Sequence, residues 1–190
     1  MFPEIYFLTS NKGKFKEVNE FFSSKGISIK QFSFSIPEPR ASIEKVAELA
    51  VDEAYKIVKA PVFVEDTGLF IPSLNNFPGE FSKWVVKKIG IKGILKLLED
   101  KQEEDRKAYF KTVIAFHDGR EKHLFSGICN GYISNSPRGN AEETLPYDLI
   151  FIPNGHNKTF AEDEEIKRKS SQRIKALEKF YDYLSSSFFF

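Results

Sequence analysis

The sequence predicts an α/β protein with a mixed sheet, and three observations carry that reading. Segments with apolar residues at helical spacing alternate with short apolar runs through the first half of the chain. Two β-rich runs, Tyr109 to Phe116 and His123 to Ile133, flank Asp118-Gly119, a turn signal for an antiparallel hairpin. The chain has 190 residues, 41% of them hydrophobic, which suits one domain over residues 1–190 with a sizeable core.

The elements follow in order. Ile5 to Thr9 is a short apolar run, Ser10 to Lys14 a polar loop, and Phe15, Val18, Phe21 and Phe22 recur at helical spacing until Gly26. Ile27 to Phe34 reads as a second strand, and Pro37-Glu38-Pro39 must be extended. Ser42 caps a helix whose stripe runs from Ile43 to Val58 and stops at Pro61. Val62-Phe63-Val64 is a short buried strand that delivers Glu65-Asp66-Thr67-Gly68, and Ile71 to Gly79 reads as loop. Ser82 to Ile89 and Ile91 to Leu98 read as two helices parted at Gly90. After the hairpin, Pro137-Arg138-Gly139 is a turn and Tyr147 to Ile152 a short strand. Ile174, Leu177, Tyr181 and Leu184 mark a C-terminal helix that Ser170 or Ser171 caps.

Charge and cysteine content remove several function classes. Lys and Arg number 28 and Asp and Glu 27, so bulk charge does not drive the chain onto a nucleic-acid polymer or an anionic membrane. No run approaches the ~20 apolar residues of a membrane span, and the start shows no signal-peptide pattern, so a cytoplasmic protein is expected. A single cysteine, Cys129, excludes an intrachain disulfide framework and a multi-cysteine metal site. The three histidines lack metal spacing.

Three constellations could carry chemistry. Thr9-Ser10-Asn11-Lys12-Gly13-Lys14 sits at a strand-to-helix junction, where free N–H groups and the helix dipole favour an anion. An ordinary capped loop would use the same residues. Glu65 and Asp66 follow a hydrophobic strand, and Glu38 is fixed between two prolines. Such oxygen ligands suit Mg²⁺, although a turn Glu and a capping Asp would look alike. Lys167-Arg168-Lys169 with Arg173 reads as a cationic helix start, which calls for an anion against the dipole unless it is a solvated basic patch.

In order along the chain, FLTSNKGKFKEV, VFVEDTGLFI, FPGEFSKW, FSGICNGYIS with PRG, YDLIFIPNG with KTFAE, and the late Lys167, Ser171, Arg173 pattern resemble the Ham1 (inosine triphosphate pyrophosphatase) family. The resemblance covers nearly the whole chain. It implies an elongated mixed central sheet flanked by helices, with two lobes and an active-site cleft between them, in proteins that are usually homodimers. It implies Mg²⁺-dependent hydrolysis of ITP, dITP and XTP to the monophosphate and pyrophosphate, which sanitises the nucleotide pool. By the same resemblance, Thr9 to Lys14 bind the triphosphate, with Asn11 and Lys14 at matched positions. Glu38 and Asp66 hold metal, and Asp66 positions or deprotonates the attacking water beside Thr67. Leu145, Pro146, Tyr147 and Asp148 lie at the base pocket, and Lys167, Ser171, Gln172 and Arg173 form the late substrate-binding set.

The departures fall on the base side. Leu145-Pro146 stands where the family has Phe-Gly, and Gln172 where it has His. Leu lacks the quadrupole of a stacking ring, and Gln lacks the positive charge of a protonated His. Weaker discrimination between ITP and GTP is therefore expected. A Maf-like pyrophosphatase acting on other nucleotides and a nucleotide-binding protein with weakened catalysis are the alternatives. The 20 phenylalanines fall mostly on predicted strands and helix stripes, so they read as packing.

Overall fold

The computed structural model describes residues 4–34, 41–142 and 144–188. The elements run β1 (Ile5–Leu8), α1 (Lys12–Ser23), β2 (Ile29–Phe32), α2 (Ile43–Val58), β3 (Val62–Ile71), β4 (Phe77–Gly79), α3 (Ser82–Leu97), β5 (Lys107–His117), β6 (Lys122–Ile133), β7 (Phe151–Pro153), α4 (Glu164–Ser170) and α5 (Gln172–Phe188). Short 3₁₀ turns occupy Pro72–Leu74, Glu103–Arg106 and Pro146–Leu149. The strands form one mixed sheet in the order β2-β1-β3-β5-β6-β7, with β4 on β3. β1 is parallel to β2 and β3, whereas β3/β4 and β6/β7 are antiparallel.

The chain divides into two compact units. The first comprises residues 1–66, 112–127 and 174–190, and the second residues 67–111 and 128–173. In the first unit β1 and the parts of β3 and β5 that belong to it are buried on both faces, which is why they read as continuous apolar runs. Val62, Val64, Val113 and Ala115 pack with α2, while Phe63, Ile114 and Phe116 pack with α1 and α5. Phe180 of α5 lies within about 5–6 Å, ring centre to ring centre, of Phe22, Phe63, Phe116 and Phe125. Phe7 stacks on Phe63 at 4.5 Å. In the second unit Phe110, Phe151 and Phe160 share one core with Leu69, Val85 and Ile94. The described phenylalanines therefore serve mainly as packing, as their positions imply.

Several local expectations hold. The Ser42 hydroxyl caps α2 by accepting from the Lys45 N–H, and the helix ends at Lys59 in the left-handed region. Gly90 takes φ 64°, ψ −179° and interrupts α3. Gly119 turns the β5–β6 hairpin at φ 105°.

Four expectations are corrected. β3 does not stop at Val64 but runs through Glu65, Asp66 and Thr67 to Ile71, because β4 supplies a partner for its far end. The stretch read as loop before Gly79 thus contains a strand. Tyr147 and Asp148 lie on a 3₁₀ turn and not in a strand. Pro146 starts that turn, and the Asp148 carboxylate accepts the Leu145 N–H at 3.2 Å. Residues 164–170 form a helix, α4, that apolar periodicity could not reveal, since no residue in it is buried. Lys167, Arg168 and Lys169 accordingly occupy a helix end, where the dipole favours cations, so the basic run does not by itself demand an anion.

Candidate active site

In the first unit the candidate phosphate loop is built by β1 handing over to α1. Thr9 is tied to β2: its N–H donates to the Phe32 carbonyl at 3.0 Å and its carbonyl accepts from Gln31 Nε2 at 2.9 Å. The Thr9 hydroxyl accepts the Asn11 N–H at 3.1 Å. Asn11 is the N-cap, its side-chain oxygen accepting the Lys14 N–H at 3.0 Å. Ser10, Asn11 and Lys12 are exposed, and Lys12, Gly13 and Lys14 form the first turn, where N–H groups lie outside the intrahelical ladder.

Lys14 is held from beneath by a residue the motif reading left without a role. Its Nζ lies 3.2 Å from Glu65 Oε1 and donates to the Glu65 carbonyl at 3.3 Å. The Glu65 side chain is fully buried and that of Lys14 is 18% exposed. The pair joins residues 51 apart, so spacing carried no signal of it; an acid beside Asp66 on a buried strand was the only hint. Asp66 and Thr67, both half-buried, follow on β3. Glu38 lies outside the described residues.

Gly68 fixes the course of β3 just past Asp66. A Cβ there would stand 2.6 Å from the Gly79 carbonyl oxygen and 2.8 Å from the Phe70 ring. The Ser82 hydroxyl accepts the Leu69 N–H at 2.8 Å and donates to the Gly79 carbonyl at 2.6 Å.

In the second unit the candidate base-side residues gather around Asp148, which is 4% exposed. Its Oδ2 accepts from the Thr144 hydroxyl at 2.8 Å and from Lys167 Nζ at 2.6 Å. Lys167 therefore reaches back from α4 to the 3₁₀ turn, and the two form a buried, charge-assisted pair. Tyr147 is also buried; its hydroxyl donates to the Ser82 carbonyl at 2.9 Å, and burial pushes its phenol well above the usual range. Leu145 is half-buried and Pro146 exposed. Ser171, Gln172 and Arg173, where α4 passes into α5, are all buried. The Gln172 side-chain oxygen has no hydrogen-bond partner among the described residues.

The donor that Asp66 offers to a metal is a hard carboxylate oxygen, which fits a divalent cation such as Mg²⁺. Elsewhere among the described residues, Asp118, Glu121 and His123 bring ligand atoms within 4.8 Å of one another at the β5–β6 hairpin. Two of those groups are already engaged: Asp118 Oδ1 accepts the N–H groups of Arg120 and Glu121 in the turn, and His123 Nε2 is 2.7 Å from the Tyr183 hydroxyl on α5.

Comparison with known proteins agrees with the motif reading. The Ham1 family model matches residues 5–183. A dITP/XTP pyrophosphatase of Pyrococcus horikoshii is 45% identical over 183 residues, 95% of this chain and 96% of the relative. One of Thermococcus kodakarensis is 43% identical, covering 95% of this chain and 97% of its own. A solved HAM1 protein from Coxiella burnetii superposes with a TM-score of 0.83 at 29% identity, covering 97% of this chain and 99% of that one.

Proposed function

This chain belongs to the Ham1 family, and we infer from that membership and from its phosphate-side residues that it hydrolyses non-canonical purine nucleoside triphosphates to the monophosphate and pyrophosphate. The single observation that carries the chemistry is the Asn11-capped start of α1, where Lys14 is braced by buried Glu65 next to Asp66. That arrangement presents fixed donors and a fixed cation to a polyphosphate. Braced on Glu65, Lys14 loses little rotamer freedom when phosphate arrives.

The reaction is metal-dependent, with Mg²⁺ as the ion. Asp66, together with Glu38, holds it, and the bound ion supplies charge neutralisation at the phosphate oxygens. The residues of the chain do the rest. Asn11 and the first N–H groups of α1, with Thr9, Ser10, Lys12 and Gly13 around them, bind phosphate, and Lys14 offsets the charge that grows on the departing pyrophosphate. Asp66 orients a water toward the α-phosphorus and takes its proton; the water oxygen joins phosphorus as the α–β anhydride bond breaks. Thr67 contacts the substrate beside it. Asp148 fixes Lys167, and with Leu145, Pro146, Tyr147, Ser171, Gln172 and Arg173 it forms the nucleoside-side set. Two copies of the chain make the working homodimer, in the cytoplasm, acting on free nucleotides and not on nucleic-acid polymers or membranes. No helix among the described residues is long and apolar enough to cross a membrane.

Pyrophosphate release across ITP, XTP, GTP and ATP, with and without Mg²⁺, tests this reading. Turnover of ITP and XTP only with the metal is expected, with a narrowed ITP-to-GTP ratio because of Leu145 and Gln172. Asp66→Asn should lower kcat by about 10²–10⁴ with Mg²⁺ saturating. Near-normal turnover of that variant would remove Asp66 from the role of base.

A further inference from the structure

Two motifs, Pro137-Arg138-Gly139 and Lys158-Thr159-Phe160-Ala161-Glu162, meet at the turn that carries Asp148. The Asp148 carbonyl accepts the Ala161 N–H at 3.1 Å, the Leu149 carbonyl the Arg138 N–H at 2.8 Å and the Ile150 carbonyl the Ser134 N–H at 2.8 Å. Successive carbonyls of the turn are thus held from both motifs and from the end of β6. The motifs also touch each other. A Cβ on Gly139 would stand 2.5 Å from the Ala161 carbonyl, so only glycine permits the approach.

Glu162 ties the two motifs together. Its Oε2 accepts the Thr159 N–H at 2.8 Å. The hydroxyl of Thr159, a fully buried residue, lies 3.2 Å from that oxygen and 3.2 Å from the Arg138 carbonyl. Arg138 Nε is 3.2 Å from the same Glu162 oxygen, a charge contact without hydrogen-bond alignment, and Arg138 Nη2 donates to the Asn157 carbonyl at 2.8 Å. Next in sequence, the Asp163 side chain caps α4, the helix that sends Lys167 back to Asp148 at 2.6 Å. Glu162 therefore stands between the segment that grips the Asp148 backbone and the cap of the helix that bears Lys167.

We propose that Glu162 is a positioning residue: with Arg138 and Thr159 it fixes the Asp148 turn against α4, so that Asp148 and Lys167 are paired before a nucleotide arrives. Groups already in place lose less freedom when ligand binds, so the effect falls on affinity for the nucleoside end and not on the bond-breaking step. A half-exposed ion pair alone would contribute little. Glu162 does more, because the same carboxylate closes the Thr159–Glu162 turn and faces the residue whose N–H grips Leu149. The inference rests on the reading of Asp148 and Lys167 as nucleoside-side residues, and its test separates the two.

NMR and kinetics of the full chain provide that test. The nitrogen-15 ammonium signal of Lys167, sheltered by burial and by its bond to Asp148, is assigned with Lys167→Met. It should be lost to exchange with water in Glu162→Ala, while that of Lys14, held by Glu65, persists and reports an intact fold. In the same variant KM for ITP should rise about tenfold with kcat within about threefold, and Ki for inorganic tripolyphosphate, which has no nucleoside end, should stay within about twofold. Glu162→Gln keeps an acceptor for the Thr159 N–H and should recover part of the loss; it carries the same comparison if Glu162→Ala does not fold. Glu162→Ala added to Asp148→Asn should raise KM little beyond Asp148→Asn alone, as expected of a residue that acts through Asp148. An unchanged Lys167 signal, full additivity with Asp148→Asn, or KM and Ki rising together would overturn the positioning role. Loss of the Lys167 signal with KM unchanged in both Glu162→Ala and Asp148→Asn would uphold the positioning of the pair and remove Asp148 from the nucleoside side.

Discussion

Replacing Glu65 by Gln should loosen the phosphate loop without dismantling it. The carboxylate is fully buried and lies 3.2 Å from Lys14 Nζ, which is 18% exposed. At an effective dielectric near 20, unit charges at that distance attract by about 5 kcal/mol. Desolvating the carboxylate cancels much of this, yet removing one partner of a buried pair still costs about 3–5 kcal/mol. Gln keeps the volume and an acceptor oxygen, the Glu65 carbonyl still accepts from Lys14, and Lys14 retains some access to water. A loss of about 2 kcal/mol is therefore expected. In a chain of this size that is a fall in Tm of about 4–8 °C by calorimetry. Because Lys14 would then search more rotamers, KM for the triphosphate should rise about tenfold, equivalent to about 1.4 kcal/mol, with a smaller change in kcat. A Tm within about 1 °C of the parent together with an unchanged KM would refute the bracing role of Glu65.

Three further outcomes are expected. A double-mutant cycle with Asp148→Asn and Lys167→Met should show coupling of about 1–3 kcal/mol in stability, read by urea denaturation, since the pair is buried and 2.6 Å apart. Gly68→Ala should cost about 1–3 kcal/mol by the same assay, because its Cβ would meet the Gly79 carbonyl oxygen at 2.6 Å. The start of α4 should weaken in acid. The Ile166 N–H, bonded to the carboxylate, holds Asp163 below the usual carboxylate range, helped by Lys158. A lowered folded pKa means the cap stabilises fully above the unfolded value and is lost as pH falls through the folded one. Secondary chemical shifts of residues 164–170 should thus decay below about pH 4, and Asp163→Asn should reduce that dependence.

What the sequence made legible was local chemistry. The Ser42 cap, the Gly90 break and the Asp118-Gly119 turn each depend on side chains within a few residues, and each forms where expected. The alternation of Val62-Phe63-Val64 shows both buried faces directly. What escaped has either a distant partner or no apolar stripe. β3 extends past Asp66 because β4 pairs with it, and no local signal reports a strand's partner. α4 is held by its Asp163 cap and by Arg168–Glu164 and Lys169–Glu165 pairs, so it lacks the apolar stripe that marks a helix. Its basic residues consequently looked like a helix start when they form a helix end. Glu65 and Lys14 meet only through the packing of α1 beside β3, which also explains why the motif suggested Asp66 and left its neighbour without a role.

The central claim is attack by water on the α-phosphorus with pyrophosphate as leaving group. Turnover of ITP in water enriched in oxygen-18, followed by mass analysis of both products, tests it most directly. One labelled oxygen in the monophosphate and none in pyrophosphate is predicted. Label in the pyrophosphate, or release of orthophosphate in place of pyrophosphate, would contradict the account.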